Sequence, residues 1–409
     1  MTAATAQLIT SADQAVSVAA ELAREFAPGA AARDRDRELP YAQLDRLASS
    51  GLLAITVPAE FGGADLAPSV VTEVVRLLAV ADPNIAQIPH SHFVYLNLLR
   101  LAGTDGQRRE YFRAVLAGAR IANAQSERGG RTITDISTTL RPVDDEFRID
   151  GTKYYCTGSL FADLLAVLTR LDDPDARSGL PAGEYIAYLP ARSPGVRIVD
   201  DWNGLGQRTT GSGTVELDDV RVRAEQLVPR GKALAGPTAY GAYAQLLHAA
   251  IDTGIARGAL TAATEFVRSQ ARPWFEAGVD RAIDDPLLIQ RFGELVVTVA
   301  TAEATLTAAA TAVDSAIRGT LPGTDEQTAA GQASLAVATA KIVADRAAVD
   351  VSAALFEVSG TRSAAADLNL HHFWRNARTH TLHDPVRWKY HHLGRALLHG
   401  TPPPAHGTF

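Results

Sequence analysis

The chain has one cysteine and one methionine in 409 residues, and only 6% of its side chains are aromatic. A lone cysteine, Cys156, forms neither an intramolecular disulfide nor a thiolate metal cluster, which fits a reducing, cytoplasmic compartment. No basic block is present: 39 Lys and Arg stand against 46 Asp and Glu, a net charge of −7, which argues against a nucleic-acid partner. The N-terminal MTAATAQLITSADQ lacks the basic and apolar regions of a secretory signal. Long uninterrupted apolar runs are missing too. The nearest, Leu295 to Ile317, carries Glu303, Asp314 and many threonines, so it reads as a buried bundle helix, with no membrane partner. What the chain has in quantity is apolar side chain, 46%, much of it alanine, enough to exclude general disorder and to build a sizeable core.

The texture changes twice. Up to about residue 120, apolar residues recur at three and four spacing in AVSVAAELAREF, YAQLDRLASSGLLA and VVTEVVRLLAVA, which predicts an N-terminal helical domain (1–120). From 121 to 230 the pattern shortens to alternating runs such as EFRIDGTKYYCTG and GTVELDDVRV, which predicts a middle β-barrel or sandwich domain with Asp150-Gly151 as a hairpin turn. From 231 to 395 long helical periodicities return over 240–272, 285–319 and 325–359, followed by a tail, 396–409. Leu295, Val299, Ala302, Leu306, Ala309, Val313 and Ala316 mark one bundle seam, and Leu335, Ile342, Val349 and Phe356 recur every seven along the next helix. The fold class is α+β, mostly α. GLGQRTTG does not make a dinucleotide loop, because its glycine spacing is wrong and strands lie on both sides.

Several clusters carry chemistry. Eight of the eleven histidines follow Asn369. His380 and His383 are three apart, and Asp384-Pro385 breaks the helix just after them. Without cysteine ligands or an HExxH pattern, proton chemistry suits them better than a metal. The loop SERGGRTITD, beginning at Ser126, offers a backbone that a flat ligand can approach, or an ordinary turn. In KYYCTG, Tyr155 and Thr157 fall on one strand face, as a pocket wall or a polar rim. Arg272 closes a helix before Pro273, Trp274 and Phe275, and Ser359, Gly360 and Arg362 end another; each set suits a phosphate or a helix end.

In their order along an α, β, α chain these motifs resemble the acyl-CoA dehydrogenase superfamily. SERGG stands where that family has Thr-Glu-Pro-x-x-Gly, KYYCTG where it has a Trp-Ile-Thr strand, and RPWF where it has Arg-x-x-Phe. ARDRDRELPYAQLDRLASSGLLAITVPAEFGG, IPHSHF, FEVSGTRS and RNARTHTLHDPVRWKY are similar to its flavin-dependent monooxygenase branch, nearest the SfnB-type sulfur-acquisition oxidoreductases and more distantly the dibenzothiophene monooxygenases. The resemblance implies an acyl-CoA dehydrogenase-like fold with a C-terminal four-helix bundle. It also implies Tyr155, Thr157 and Trp202 around an isoalloxazine ring, with Ser126 in the adjoining loop. Arg272, Phe275, Ser359, Gly360 and Arg362 would sit at the ribityl phosphate, the two groups coming from different subunits of a homotetramer, a dimer of dimers. His92 and His383 would stand at the flavin C4a position and Thr157 at N5, with Asp384 orienting His383.

The implied activity is transfer of oxygen from a C4a-(hydro)peroxyflavin to a small organosulfur substrate, a sulfide, sulfoxide or sulfone. Reduced FMN would come from a separate NAD(P)H:flavin reductase, and O2 is the co-substrate. FEVSGTR stands where dehydrogenases keep a Gln-x-x-Gly-Gly-x-Gly cradle for the adenine half of FAD, which favours FMN over FAD. Three alternatives remain open from the residues: an FAD-dependent acyl-CoA dehydrogenase, a flavin N-oxygenase of amines or amino sugars, and a non-catalytic flavin-binding protein.

Overall fold

Residues 6–319 and 324–406 are described by a computed structural model. The N-terminal region is helical: α1 (Ala12–Phe26), α2 (Ala30–Asp36), α3 (Tyr41–Ser49), α4 (Pro68–Ala81), α5 (Pro83–Gln87), α6 (His90–Ala102) and α7 (Asp105–Leu116). Local chemistry sets several of the ends. The Ser11 side chain accepts the Gln14 N–H at the start of α1, and Thr104 and Gln107 close a capping box on α7. Asp82 caps α5 and receives Arg33 in a buried ion pair of 2.9 Å, which ties α2 to the α4–α5 corner.

Eight strands follow: β1 (Ile121–Ala124), β2 (Thr139–Val143), β3 (Glu146–Lys153), β4 (Leu164–Leu171), β5 (Glu184–Pro190), β6 (Val196–Val199), β7 (Thr214–Val222) and β8 (Leu227–Pro229). They form one mixed sheet in the order β6-β7-β3-β2-β4-β5-β8, with β1 pairing parallel to β4. Both faces of its centre are buried. Leu165 and Val167 pack with Cys156 on one side, while Ala166 and Leu168 on the other join the core shared with the helices. There Tyr188 donates its hydroxyl to the Tyr95 carbonyl at 2.8 Å.

Asp150-Gly151 is not the hairpin turn that its sequence predicts. β3 runs straight through it, and the β2–β3 turn falls at Asp144 and Asp145, with Asp144 left-handed at φ 54°. Gly151 instead marks a register shift against β7, where a Cβ would come within 2.4 Å of Thr138 Oγ1.

The C-terminal region contains α8 (Gly231–Leu234), α9 (Tyr240–Ser269), α10 (Pro286–Arg318), α11 (Glu326–Ser359), α12 (His372–His380) and α13 (Val386–His399). The α10 seam is buried as its spacing predicts, from Leu295 through Val299, Ala302, Leu306 and Ala309 to Val313. The seven-residue repeat in α11 is not the main buried stripe: of its members Ile342 is buried, but Leu335, Val349 and Phe356 are only partly covered, and Ala333, Val337, Ala340, Ala344, Ala348 and Val351 face the core. Small side chains let α9 and α11 approach closely, and the larger residues fill the flanks. α10 is long and apolar enough to cross a membrane by length and composition, yet its buried stripe packs on the bundle, while Leu287, Ile289, Val296 and Val297 are exposed. The tail residues Pro403 to His406 lie over the start of α9 and line a shallow pocket with Ala233 to Ala242; the rest of the tail expectation, 407–409, falls outside the described residues.

Candidate active site

Two groups of side chains flank α12, where the loop before β7 docks on it. The first comes from the turn after β3 and the loop before β7. β3 ends at Lys153, so Tyr155 and Thr157 are not on a common strand face as their alternation predicts. Tyr155 is left-handed at φ 58°, and Gly158 turns the chain at φ 82°. This turn is held by Cys156 N–H donating to Gly213 O and Gly158 N–H to Thr210 O. Thr157 Oγ1 is 2.8 Å from Ser212 Oγ, which is 2.6 Å from Thr210 Oγ1, and Thr210 in turn donates to Gln207 O. The Trp202 ring stands edge-on to Tyr155 at 6.2 Å and donates its indole N–H to Gln207 O. Ser126 is half-buried, its backbone bridged to Tyr154, and Arg128 lies 5.1 Å from the Tyr155 ring centre. Just below, Glu127 pairs with Lys153 at 2.6 Å. Burial opposes the Glu127 charge, but hydrogen bonds from Lys153, Ser137 and Thr138 hold its pKa at about 2.

The loop is locked onto α12. Gly206 N–H donates to Thr379 Oγ1 at 2.8 Å and Gln207 N–H to Asn376 Oδ1 at 2.7 Å. A Cβ on Gly206 would lie 2.0 Å from Arg375 O, so only glycine permits this approach. Gln207 is 2% exposed, yet neither polar atom of its side-chain amide has a partner, and Asn376 Nδ2 is also buried and unpaired. Such orphans are costly in a finished core and mark where a ligand's polar edge is missing.

The second group is a stack of imidazoles. The His248 ring lies 3.9 Å from those of both His90 and His383. His248 Nδ1 is 3.0 Å from His380 Nε2, and His380 Nδ1 is 2.6 Å from Asp252 Oδ1. His383 is exposed, with Nδ1 3.2 Å from Asp384 Oδ1. Asp384 itself is buried against Lys389 at 2.6 Å. Burial opposes the Asp384 charge, yet His383, Lys341 and Lys389 hold its carboxyl well below the ordinary range.

His92 is not in this stack. It is buried with both nitrogens committed to backbone: Nε2 contacts Leu53 O at 2.8 Å and Nδ1 accepts the Ile121 N–H at 3.1 Å. It therefore pins β1 to the N-terminal helices, and burial lowers its pKa to about 4. His90, two residues earlier, faces His248. α10 returns the chain so that α9 and α11 end side by side, and Arg362 donates to Gln270 O at 2.7 Å, which brings the Arg272 and Arg362 segments together at one end of the bundle. Arg272 is exposed, as are Trp274 at 63% and Phe275 at 77%, and the buried Ser359 hydroxyl has no partner. Among the described residues, no three His, Cys, Asp or Glu side chains are grouped to hold a metal.

Sequence reading missed His90, His248, Asp252, Gln207, Ser212 and Asn376. A signal existed for two of them: His248 and Asp252 are four apart on the most apolar stretch of α9, where polar residues need a shared partner.

An N-terminal helical domain, a mixed sheet and a long-helix bundle clasping a hydroxyl-lined aromatic wall define a flavoprotein of the acyl-CoA dehydrogenase kind, and the chain belongs to the acyl-CoA dehydrogenase family. Residues 13–119, 122–220 and 246–388 match its N-terminal, middle and C-terminal domains respectively. Within that family the chain is 32% identical over 396 residues to dibenzothiophene monooxygenase of Rhodococcus qingshengii, covering 95% of this chain and 94% of that one. It is also 32% identical over 392 residues to a probable FMNH2-dependent monooxygenase, SfnC, of Pseudomonas putida, covering 95% and 96%. The crystal structure of FMN-bound TdsC from Paenibacillus sp. A11-2 superposes with a TM-score of 0.88 at 31% identity, over 97% of this chain and all of that one, 100%.

Proposed function

We propose that the chain is an FMNH2-dependent monooxygenase of organosulfur metabolism. The observation that carries this reading is the junction itself: the Thr157–Ser212–Thr210 hydroxyl row and the Tyr155–Trp202 wall are joined through Gly206 and Gln207 to the helix that ends in the histidine stack. The donor set fits FMN. The unpaired Gln207 amide and Asn376 Nδ2 offer hydrogen bonds to a polar ring edge, and at the far end of α9 the exposed Arg272 and Arg362 beside the unpaired Ser359 hydroxyl offer a phosphate site to a flavin bound across a subunit boundary. When bound, reduced FMN supplies the two electrons that divide dioxygen between substrate sulfur and water.

The chain's own residues do the rest. Thr157, held by Ser212, presents a hydroxyl to the ring side, and Ser126 shapes the adjoining loop. Tyr155 and Trp202 exclude water from one wall. His383, exposed and oriented by Asp384, holds the proton that oxygen transfer requires. Asp384 is not an α-proton base, since its charge is fixed by Lys389 in a buried pair; this weighs against acyl-CoA dehydrogenation. The exposed apolar residues Trp274, Phe275, Leu287 and Ile289 support a homotetramer; on this reading the enzyme works in the cytoplasm, and the FMNH2 dependence calls for a separate NAD(P)H:flavin reductase. Light scattering of the purified protein tests the assembly; a monomer at micromolar concentration rejects it.

The activity is tested by mixing the protein with chemically reduced FMN without oxygen, then adding dioxygen and a panel of sulfides, sulfoxides, sulfones and sulfinates. Formation of an oxygenated sulfur product is expected. Reduction of bound flavin by an acyl-CoA thioester in place of that product would overturn the reading.

A further inference from the structure

Four imidazoles are packed within ring contact, yet their surroundings differ in a graded way. His90 is held by Ala244 O at 3.0 Å from Nε2. His380 points Nδ1 at Asp252, whose other oxygen is 3.2 Å from Lys341 Nζ. Asp345 bonds Lys341 as well and lies close enough to Asp252 for the two carboxyls to share a proton. Lys341 and Asp252 are completely buried, 0% exposed, on α11 and α9. A buried ammonium this close disfavours a second positive charge on His380 or His248. His383 is exposed while His90 is half-buried and His248 and His380 are buried, and the carboxylate beside His383, Asp384, is balanced by Lys389 on its other oxygen.

The hydrogen-bond chain also fixes tautomers. An ionised Asp252 accepts from His380 Nδ1–H, so His380 Nε2 carries the lone pair and accepts from His248 Nδ1–H. His248 is thereby a neutral ring with its orientation set from behind, its plane tilted 37° from that of His383. Burial, with the charges of His383 and Lys341, lowers the pKa of His248 well below the ordinary histidine range, and burial brings His90 and His380 to about 3. On the carboxyl side, burial and the charge of Asp252 push Asp345 well above the ordinary range.

We propose that Asp252, His380 and His248 are positioning residues that lock their imidazoles in one neutral tautomer, so that of the four stacked rings His383 alone carries a proton to and from the ligand bound beside it. The step is balanced within the chain: His383 gives one proton to the bound ligand and recovers one from solvent, and no proton is exchanged with His248 or His380. If those rings could charge, the repulsion would fall on His383 across the 3.9 Å stack and its proton would be lost to the wrong partner. The inference rests on the monooxygenase reading for its consequence but not for its first test.

That test is nitrogen-15 NMR of histidine rings in the FMN-free protein, titrated from about pH 8 to about pH 5. Of the four rings, His383 alone becomes imidazolium, while His248 and His380 stay neutral as Nδ1–H tautomers. A cationic His248 or His380, or the Nε2–H tautomer at either, overturns the proposal. The second test is Asp252→Asn, whose amide N–H can donate to His380 Nδ1 and invert both tautomers. With FMN affinity and substrate KM retained, the yield of sulfur product per dioxygen consumed falls about tenfold, peroxide appears in its place, and the pH profile gains an ionisation; Asp252→Glu restores the single one. Wild-type coupling and an unchanged pH profile in Asp252→Asn overturn the proposal. Should that variant fail to fold, the wild-type titration decides alone. A wild-type protein that oxygenates no sulfur compound defeats the proposed function and leaves the NMR result to stand on its own.

Discussion

The histidine cluster and the Arg272–Arg362 surface are both rich in charge, but they stand at opposite ends of completeness. Around His248 most polar atoms find partners inside one chain: Asp252 sits between His380 and Lys341, and Asp384 is pinned by Lys389. At the bundle end, Arg272, Trp274 and Phe275 are exposed and the Ser359 hydroxyl is buried without a partner. The first region is finished by the fold and can set protonation; the second is left open for something the chain binds. Charge that is buried must be balanced locally, whereas charge kept for a ligand is left in water until the ligand arrives.

The comparison breaks most severely where balance is removed. Lys341→Met strands Asp252 and Asp345 beside each other in a dry site and costs about 3–5 kcal/mol of stability, measured by urea unfolding. His383→Ala removes only the exposed member of the stack; FMN binding is retained, and product formation per turnover drops about 100-fold in favour of hydrogen peroxide, measured by peroxide assay. Unchanged coupling removes His383 from the mechanism.

Acid separates the regions without mutation. His90 and His380 have folded pKa values of about 3, below the ordinary 6.5, so their neutral forms stabilise the fold above about pH 6.5, and that stability is lost as the pH falls toward 3. Going from about pH 7 to about pH 5 costs roughly 2 kcal/mol for each of these rings, seen as a falling unfolding midpoint, while the open arginine surface contributes nothing to it. The smallest effect belongs to that surface: Arg272→Ala weakens FMN binding about tenfold by fluorescence titration and leaves stability within about 0.5 kcal/mol.

Much of this was legible in the sequence. Periodicity located the helices over 240–272, 285–319 and 325–359 within a few residues of α9, α10 and α11, because their apolar stripes follow the helical repeat. The aromatic and hydroxyl residues Tyr155, Thr157 and Trp202 do gather in one place. The failures share a cause, which is that packing partners distant in sequence decide orientation. His90 opens α6 and His92 sits barely half a turn on, and only Leu53 O and the Ile121 N–H determine that His92 turns away from the stack. Gly151 is a turn signal locally, yet Thr138 and β7 make it a bulge. Lys341 and Asp345 stand four apart in an alanine seam, where helical spacing alone cannot reveal that Asp252 waits on the neighbouring helix.

The central claim, that this junction of sheet and histidine stack oxygenates sulfur with reduced FMN, is met most directly by supplying isotopically heavy dioxygen to the protein, FMN, a flavin reductase and an organosulfur substrate, and weighing the product. One heavy oxygen atom in each sulfur product is the predicted result. Product bearing only oxygen from water, or flavin reduced by acyl-CoA with no sulfur product at all, would contradict it.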